Sequence, residues 1–588
     1  MAATTKSGHT SKSAQTSKSA ATARSARSGA GPAGPGARYM VRSRARTSTI
    51  DAMQMHEAVT PDRWCVTKMD LRHLRLEVLR WLQDGEIQSN PDTEDSDDED
   101  KYGPSIYSVN EQYIKPVTAD AGKMSWALMM NPEGLDCDLF VSHAWQEGIF
   151  EFLSKVLGSW PFWVRHAWCC MLANPQHLNI GSMLQSPKTS PFALALEASR
   201  LVLVVSNRRK SVYCRLWCGY EAYVASEKSK VIQIAKPLQI RSMCWTFGLA
   251  LLPLAGGLIF GGLGRWQNWD LRLGVIFIAL ALLASANTHH VMRQASNYMG
   301  LAVSACLAVS WIPLPTVRFI WVLPPAVRVI YNVLLWLCVL AFFLLAEVDR
   351  ARSEDIACEG QKLRKGYRGS ICQASCSEAA DKRRIWDEIG NNVHQVDHAI
   401  NVLISAGLSS PALRACAEKG VEIEGAGHAE SAIPLVFLGP QLLVGLSQVI
   451  IIYLNGQNTA DPGLVLEALA VVARIAFIIL ICKSAPDERC FMFKVITKLV
   501  TVIFFPSIFT IVVVVELGHP GAAEVVGLVT FMCFNLSLIL ALIFGLLGIQ
   551  KTLQLPGGPC LLQMVFWHAS SWGCAKRNLD SSSDEETD

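Results

Sequence analysis

Two cysteines and two histidines carry the spacing of metal ligands. Cys372-x3-Cys376 is followed, after 17 intervening residues, by His394-x3-His398. Two ligand pairs on successive helical turns could hold a tetrahedral zinc. The separation exceeds the usual 12–15 or so residues. The alternative is two reduced cysteines and two helix-surface histidines. A second polar set lies in apolar surroundings. Arg474 is central in LVLEALAVVARIAFIILIC (464–482), and Glu467 precedes it by seven residues on the same helical face. Gln441 and Gln448 are also seven apart, and Asn535 and Ser537 sit in a further apolar run. A charge at bilayer depth costs at least about 2.5–3.5 kcal/mol, so it must face the interior of a bundle and find a partner. These groups could line a permeation path or form interhelical hydrogen bonds that fix the packing. No broken-helix pair or selectivity-filter run accompanies them.

The elements that would position these residues are legible in the pattern. The chain has 588 residues, 51% hydrophobic and only 18% charged. Soluble chains carry about a quarter charged residues. The deficit is confined to 244–548, where long apolar runs alternate with short polar stretches. Spans are expected near 244–264, 271–287, 298–316, 327–346, 433–454, 464–482, 495–515 and 524–548, each about long enough for some 30 Å of hydrocarbon. That makes an all-α polytopic membrane domain of about eight helices, with the lipid bilayer as its partner. The 18 cysteines do not make a disulfide scaffold in a chain this long. A net charge of +3 gives no argument for nucleic acid.

Lysine and arginine orient the spans. Arg350, Arg352, Lys362, Arg364, Lys365 and Arg368 follow the fourth, and Lys483, Arg489 and Lys494 follow the sixth. The loops at 455–463 and 516–523 have neither residue. The positive-inside rule then places both termini and the 347–432 segment in the cytosol, with Arg318 as an exception. The domains read as a disordered basic tail (1–60), an amphipathic helix and acidic linker (61–133), an α/β domain (134–240), spans one to four (241–346), a cytosolic helical insert (347–432), spans five to eight (433–548) and an acidic cytosolic tail (549–588).

Within 134–240, four short apolar runs alternate with helical patterns: DLFVSHAW, HAWCCMLA, RLVLVVS and VIQIAKP. Alternation of this kind predicts a parallel sheet covered on both faces. Ligands bind such sheets beyond the carboxyl ends of the strands, where Ser142, His143 and Ser206 lie. Upstream, MDLRHLRLEVLRWL (69–82) places Leu71, Leu74, Val78, Trp81 and Leu82 at helical spacing.

DLFVSHAW (138–145), RLVLVVS (200–206), SVYCRLWCGYE (211–221) and VIQIAKP (231–237), in that order, resemble a TIR domain. The resemblance covers about 100 residues of the chain and rests chiefly on Trp217-Cys218-x-x-Glu221. It implies an α/β flavodoxin-like fold and a signalling module that self-associates. In many members the module also cleaves NAD at the nicotinamide–ribose bond, with Glu221 in the catalytic position. NAD would be a substrate; no cofactor is implied. A carboxylate near the ribose can stabilise an oxocarbenium-like transition state. Ser142, His143, Trp145, Trp217 and Cys218 would surround the nucleotide, with Trp217 packing against the sheet as the alternative. The domain departs from the family in one respect. The first span begins about seven residues after Pro237, so the module is truncated at its C-terminal end and its edge strand needs another cover, such as the 69–82 helix.

Overall fold

A computed structural model describes residues 52–88, 102–178, 180–237, 240–263, 290–309, 325–376, 378–427 apart from 425, 462–499 and 520–566, with a few single positions. Gln441, Gln448, residues 1–51 of the basic tail and 567–588 of the acidic tail, the acidic run 91–100, the span at 271–287 and nearly all of that at 433–454 lie outside the described residues, as does the side chain of Glu467.

The chain enters the fold through β1 (Val66–Thr67) and α1 (Lys68–Gln83). A capping box starts α1: Asp70 N–H donates to Thr67 Oγ1 at 3.1 Å, and Thr67 N–H donates to the Asp70 carboxylate at 2.8 Å. Leu71, Leu74 and Val78 are buried on its inner face, as the apolar spacing predicts. The sheet continues with β2 (Leu139–Ser142), α2 (Ile149–Ser159), β3 (His166–Cys169), α3 (Pro191–Ala198), β4 (Leu201–Val204), α4 (Leu216–Glu227) and β5 (Val231–Ile234). β2 and β4 are buried at every position, which explains their unbroken β-branched and aliphatic runs.

Strand order is β1-β3-β2-β4-β5-β6, where β6 is Leu408–Ser409. The four central strands are parallel, and β1 and β6 close the two edges antiparallel. The order β3-β2-β4-β5 places the first parallel strand centrally, as in a doubly wound sheet.

The open edge at β5 is therefore closed from a distance. Ile232 pairs with Ser409 and Gln233 with Leu408. β6 follows helix α8 (Val393–Ala406), whose inner face, Val396, Ile400 and Leu403, joins the same core as β5. The 69–82 helix is not the cover: α1 packs on α2 instead. The 347–432 segment does not stand apart as a small helical insert; it completes the sheet. Residues 102–130, expected as the end of a linker, form short helices whose Ile106, Val109, Tyr113 and Trp126 belong to the same core.

Between β5 and β6 the chain makes α5 (Ile240–Gly262), α6 (His290–Val309) and α7 (Pro325–Arg364); after β6 come α9 (Pro462–Lys483), α10 (Pro486–Leu499) and α11 (Pro520–Gln554). Among the described residues, two helical stretches are long and apolar enough to cross a membrane, Cys244–Gly262 and Asn535–Gln554. Small residues let α5 meet α6: a Cβ on Gly257 would fall 2.1 Å from the Ala302 carbonyl oxygen, and one on Gly261 2.5 Å from that of Cys306. This glycine-x3-glycine spacing permits close backbone approach. α11 breaks at Gly548 (φ +69°), and the Glu488 carboxylate accepts the freed Ile549 N–H at 3.1 Å.

Two outcomes follow. Gly257→Leu should lower the thermal unfolding midpoint of the detergent-solubilised chain, by about 1–3 kcal/mol of overpacking strain. Gly256→Leu, whose Cβ meets nothing within 4 Å, should leave the midpoint unchanged. In calorimetry, residues 52–237 joined by a flexible linker to 355–427 should unfold in one cooperative transition, and 52–237 alone should not. Equal cooperativity of the two would show β6 and α8 to be dispensable.

Candidate functional site

The carboxyl ends of the parallel strands gather a buried polar cluster. β2 ends in Ser142, and His143 follows; Cys170 follows β3; α4 brings Cys218 and Glu221 beneath them. Ser142, His143, Cys218 and Glu221 are all buried. Cys218 Sγ lies 3.7 Å from the His143 carbonyl oxygen. Burial pushes the Glu221 carboxyl up to about 7, while the Ser142 hydroxyl and the Arg215 guanidinium pull it back toward ionisation. Glu221 Oε2 finds no hydrogen-bond partner among the described residues, nor do the Tyr213 hydroxyl and both oxygens of Glu147. An unsatisfied buried polar atom costs about 1–3 kcal/mol, so several together mark a site under strain for something other than stability.

His143 sits inside a second part of the cluster that the residue pattern did not reveal. Its Nε2 is 3.1 Å from Cys170 Sγ, and its Nδ1 is 3.5 Å from Glu147 Oε1. Trp145 Nε1–H donates to the same sulfur at 3.3 Å. The arrangement has the outline of a nucleophilic triad, but its charges argue otherwise. Burial, with Arg215 nearby, lowers the imidazole to about 3; burial pushes the Glu147 carboxyl well above the usual carboxylate range and the Cys170 thiol up to about 12. Glu147 makes no hydrogen bond to the ring, so no base is relayed to the sulfur, and a thiol raised that far is inert. Glu147, Cys170 and Arg215 carry no spacing signal, because three separate loops bring them together.

The aromatic candidates pack on protein. Trp217 stacks on Phe192 of α3 at 5.2 Å between ring centroids, and Trp145 lies against Tyr107 at 5.3 Å.

Two segments cover the cluster. Residues 102–107 lie along the loop after β2: Ile106 N–H donates to Glu147 O at 3.0 Å, and Ile149 N–H donates to Pro104 O at 2.9 Å. Gly148 permits this contact, since a Cβ there would fall 2.3 Å from Tyr102 O. Residues 365–376, which follow α7, run along the loop before α4. Ser211 N–H donates to Lys365 O at 2.8 Å, Leu216 N–H to Ser375 O at 2.9 Å and Ser375 N–H to Cys214 O at 2.8 Å. Ile371 packs against Gly219 of α4, two residues before Glu221: a Cβ there would fall 3.2 Å from Ile371 Cγ2.

α7 itself is anchored at the same edge. Lys155 of α2 is buried and lies 2.8 Å from Glu359 of α7 and 2.7 Å from Glu151. It donates to Ser206 O at 2.7 Å, and the Ser206 hydroxyl donates to Glu359. Burial alone would lower the ammonium, but Glu359 and Glu151 together hold it raised. Ser206 thus lies at the strand end as expected, bonded to Glu359 of α7.

The other expected sites resolve differently. No group of metal ligands forms among the described residues. Cys372 is exposed, and the His398 ring nitrogen Nε2 sits 3.0 Å from the Arg414 carbonyl oxygen. The Ile371 N–H donates to Asp397 of α8 at 2.8 Å, so the two segments touch, but the four residues do not gather as a ligand set. Arg474 is buried on α9 and donates to Asn535 of α11 at 3.2 Å. The two helices are thus joined by the kind of interhelical hydrogen bond that fixes packing.

The carboxyl shift has a thermodynamic consequence. Glu221 has a folded-state pKa near 7 against an ordinary 4.5, so its contribution to stability is full below pH 4.5 and is lost as the pH rises through 7. Glu221→Gln should therefore raise the unfolding midpoint at pH 8, by on the order of 3 kcal/mol, and change it little at pH 4.5. A pH-independent difference in thermal melts would contradict the buried titration. Compared with family models, curated proteins and solved structures, the chain matches none.

Proposed function

We propose that this chain is a membrane-anchored, TIR-like signalling protein with about eight spans and both termini in the cytosol, and that its α/β domain cleaves NAD through Glu221. The observation that carries the reading is the position of Glu221: a buried carboxyl of raised pKa, beside Ser142, at the carboxyl edge of a doubly wound parallel sheet. Unpartnered polar atoms around it supply hydrogen-bonding capacity for the ribose. In the reaction the bond between ribose C1′ and the nicotinamide nitrogen breaks, and its electron pair leaves with nicotinamide. Water adds at C1′ and loses a proton, giving ADP-ribose. Ionised Glu221 would stabilise the positive charge on the sugar, so the rate should rise with pH through about 7.

Residues 102–107 and 365–376 close the site. NAD can reach Glu221 only when one of them moves, and the second is continuous with α7, which emerges from the apolar half. Activity would thus answer to rearrangement of the membrane helices. A second reading, a non-catalytic module that self-associates or recruits partners, is favoured by the same burial. A conduit through the spans draws less support, because the Arg474–Asn535 pair ties two helices together.

The full chain in lipid nanodiscs, incubated with NAD, distinguishes these readings. Nicotinamide release should fall about 100-fold or more in Glu221→Gln. It should rise severalfold in Ser375→Pro, which removes the N–H bonded to Cys214 O. Release that persists in Glu221→Gln would remove the mechanism. No release from any form, with concentration-dependent light scattering, would leave the interaction module.

A further inference from the structure

The loop after α2 carries two uncovered aromatic side chains. Phe162 is 95% exposed and Trp163 43% exposed. Neighbouring Trp160 is buried and donates from Nε1 to the Val164 carbonyl oxygen at 2.8 Å, so the loop has a defined shape that presents its tip outward. The segment TrpProPheTrp is the most strongly exposed aromatic feature of the α/β domain, and nothing in its own fold uses it.

Its location says what it meets. Ser159, the last residue of α2, accepts the Lys236 N–H at 2.7 Å and donates to the Lys236 carbonyl oxygen at 3.2 Å. Lys236 precedes the start of α5 by four residues. Four residues reach at most about 14 Å. α5 is one of the two helices apolar enough to cross a membrane, and its first turns expose Trp245, Phe247, Leu251 and Leu252. The loop is thereby tethered to the short connection that leads into the helix, close to the end at which it would enter lipid. Tryptophan and phenylalanine at that level match the amphipathic zone of headgroups and upper acyl chains. Arg165 and Lys236 flank the loop with positive charge, which suits an anionic leaflet.

From this geometry we infer that the Trp160–Trp163 loop is a membrane-interface anchor, inserting Phe162 and Trp163 into the bilayer surface beside α5. The occupant is lipid, and the effect is to fix the orientation of the α/β domain on the membrane. The inference rests on α5 spanning the bilayer and is independent of any chemistry at Glu221.

The full chain, reconstituted in vesicles of phosphatidylcholine and phosphatidylserine, tests it. Phe162→benzoylphenylalanine and, separately, Leu252→benzoylphenylalanine would be illuminated and analysed by mass spectrometry. Lipid adducts are expected at both positions. Lipid adducts at 252 with protein crosslinks, or no adduct, at 162 would overturn the anchor while leaving the span intact. Absence of lipid adducts at 252 would remove the span and the anchor with it.

Discussion

The buried ammonium of Lys155 is the interaction on which the working edge of this molecule depends. A charge in that setting is tolerable only with close partners, and removal of one partner of a buried pair costs about 3–5 kcal/mol. Lys155 has Glu151 on its own helix, Glu359 on α7, and both the carbonyl and the hydroxyl of Ser206 beyond β4. Three elements distant in the chain are thereby locked in one arrangement. α7 has 40 residues and is about 60 Å long. Its apolar first half and its charged second half form one continuous helix.

The sheet is shared between segments on either side of three helices. β5 leads through five residues into α5, and the strand that protects its edge returns more than 170 residues later as β6. An edge strand left open is a template for unwanted pairing. A two-residue strand backed by α8 suffices to close it. A further contact extends the connection to the second group of helices: the Ser410 hydroxyl, which caps the helix Pro411–Glu418, donates to buried Asp487 of α10 at 2.5 Å. Both groups of apolar helices therefore touch the sheet through hydrogen bonds to groups that cannot be left unpaired.

Burial sets the chemistry of the cluster beneath the covering segments. Burial lowers the His143 imidazole and raises the Glu147 carboxyl and the Cys170 thiol, so each is shifted toward its neutral form. Glu221 differs because Ser142 and Arg215 offset part of the desolvation, leaving its carboxyl near the midpoint of ionisation at neutral pH. Two carboxylates of the same loop cluster are thus separated in behaviour by their neighbours alone.

The sequence by itself determined what nearest neighbours and solvation decide. β-branched runs placed four strands, apolar residues at helical spacing placed α1, α2 and α4, and the oily half marked itself as unfit for water. The strand-end location of Ser142, His143 and Ser206 followed from those runs. What only the tertiary structure decided were pairings between residues far apart in the chain. Leu408–Ser409 is too short to show a period of two, yet it completes the sheet. Cys372 and His394 have ligand-like spacing, yet no group of metal ligands forms among the described residues. Glu147, Cys170, Arg215 and Glu359 have no local signature, and Arg474 meets Asn535 on another helix. Local pattern reports the free energy of a residue in its own segment; which segments meet is set by the summed burial of the whole core, and no short stretch contains that sum.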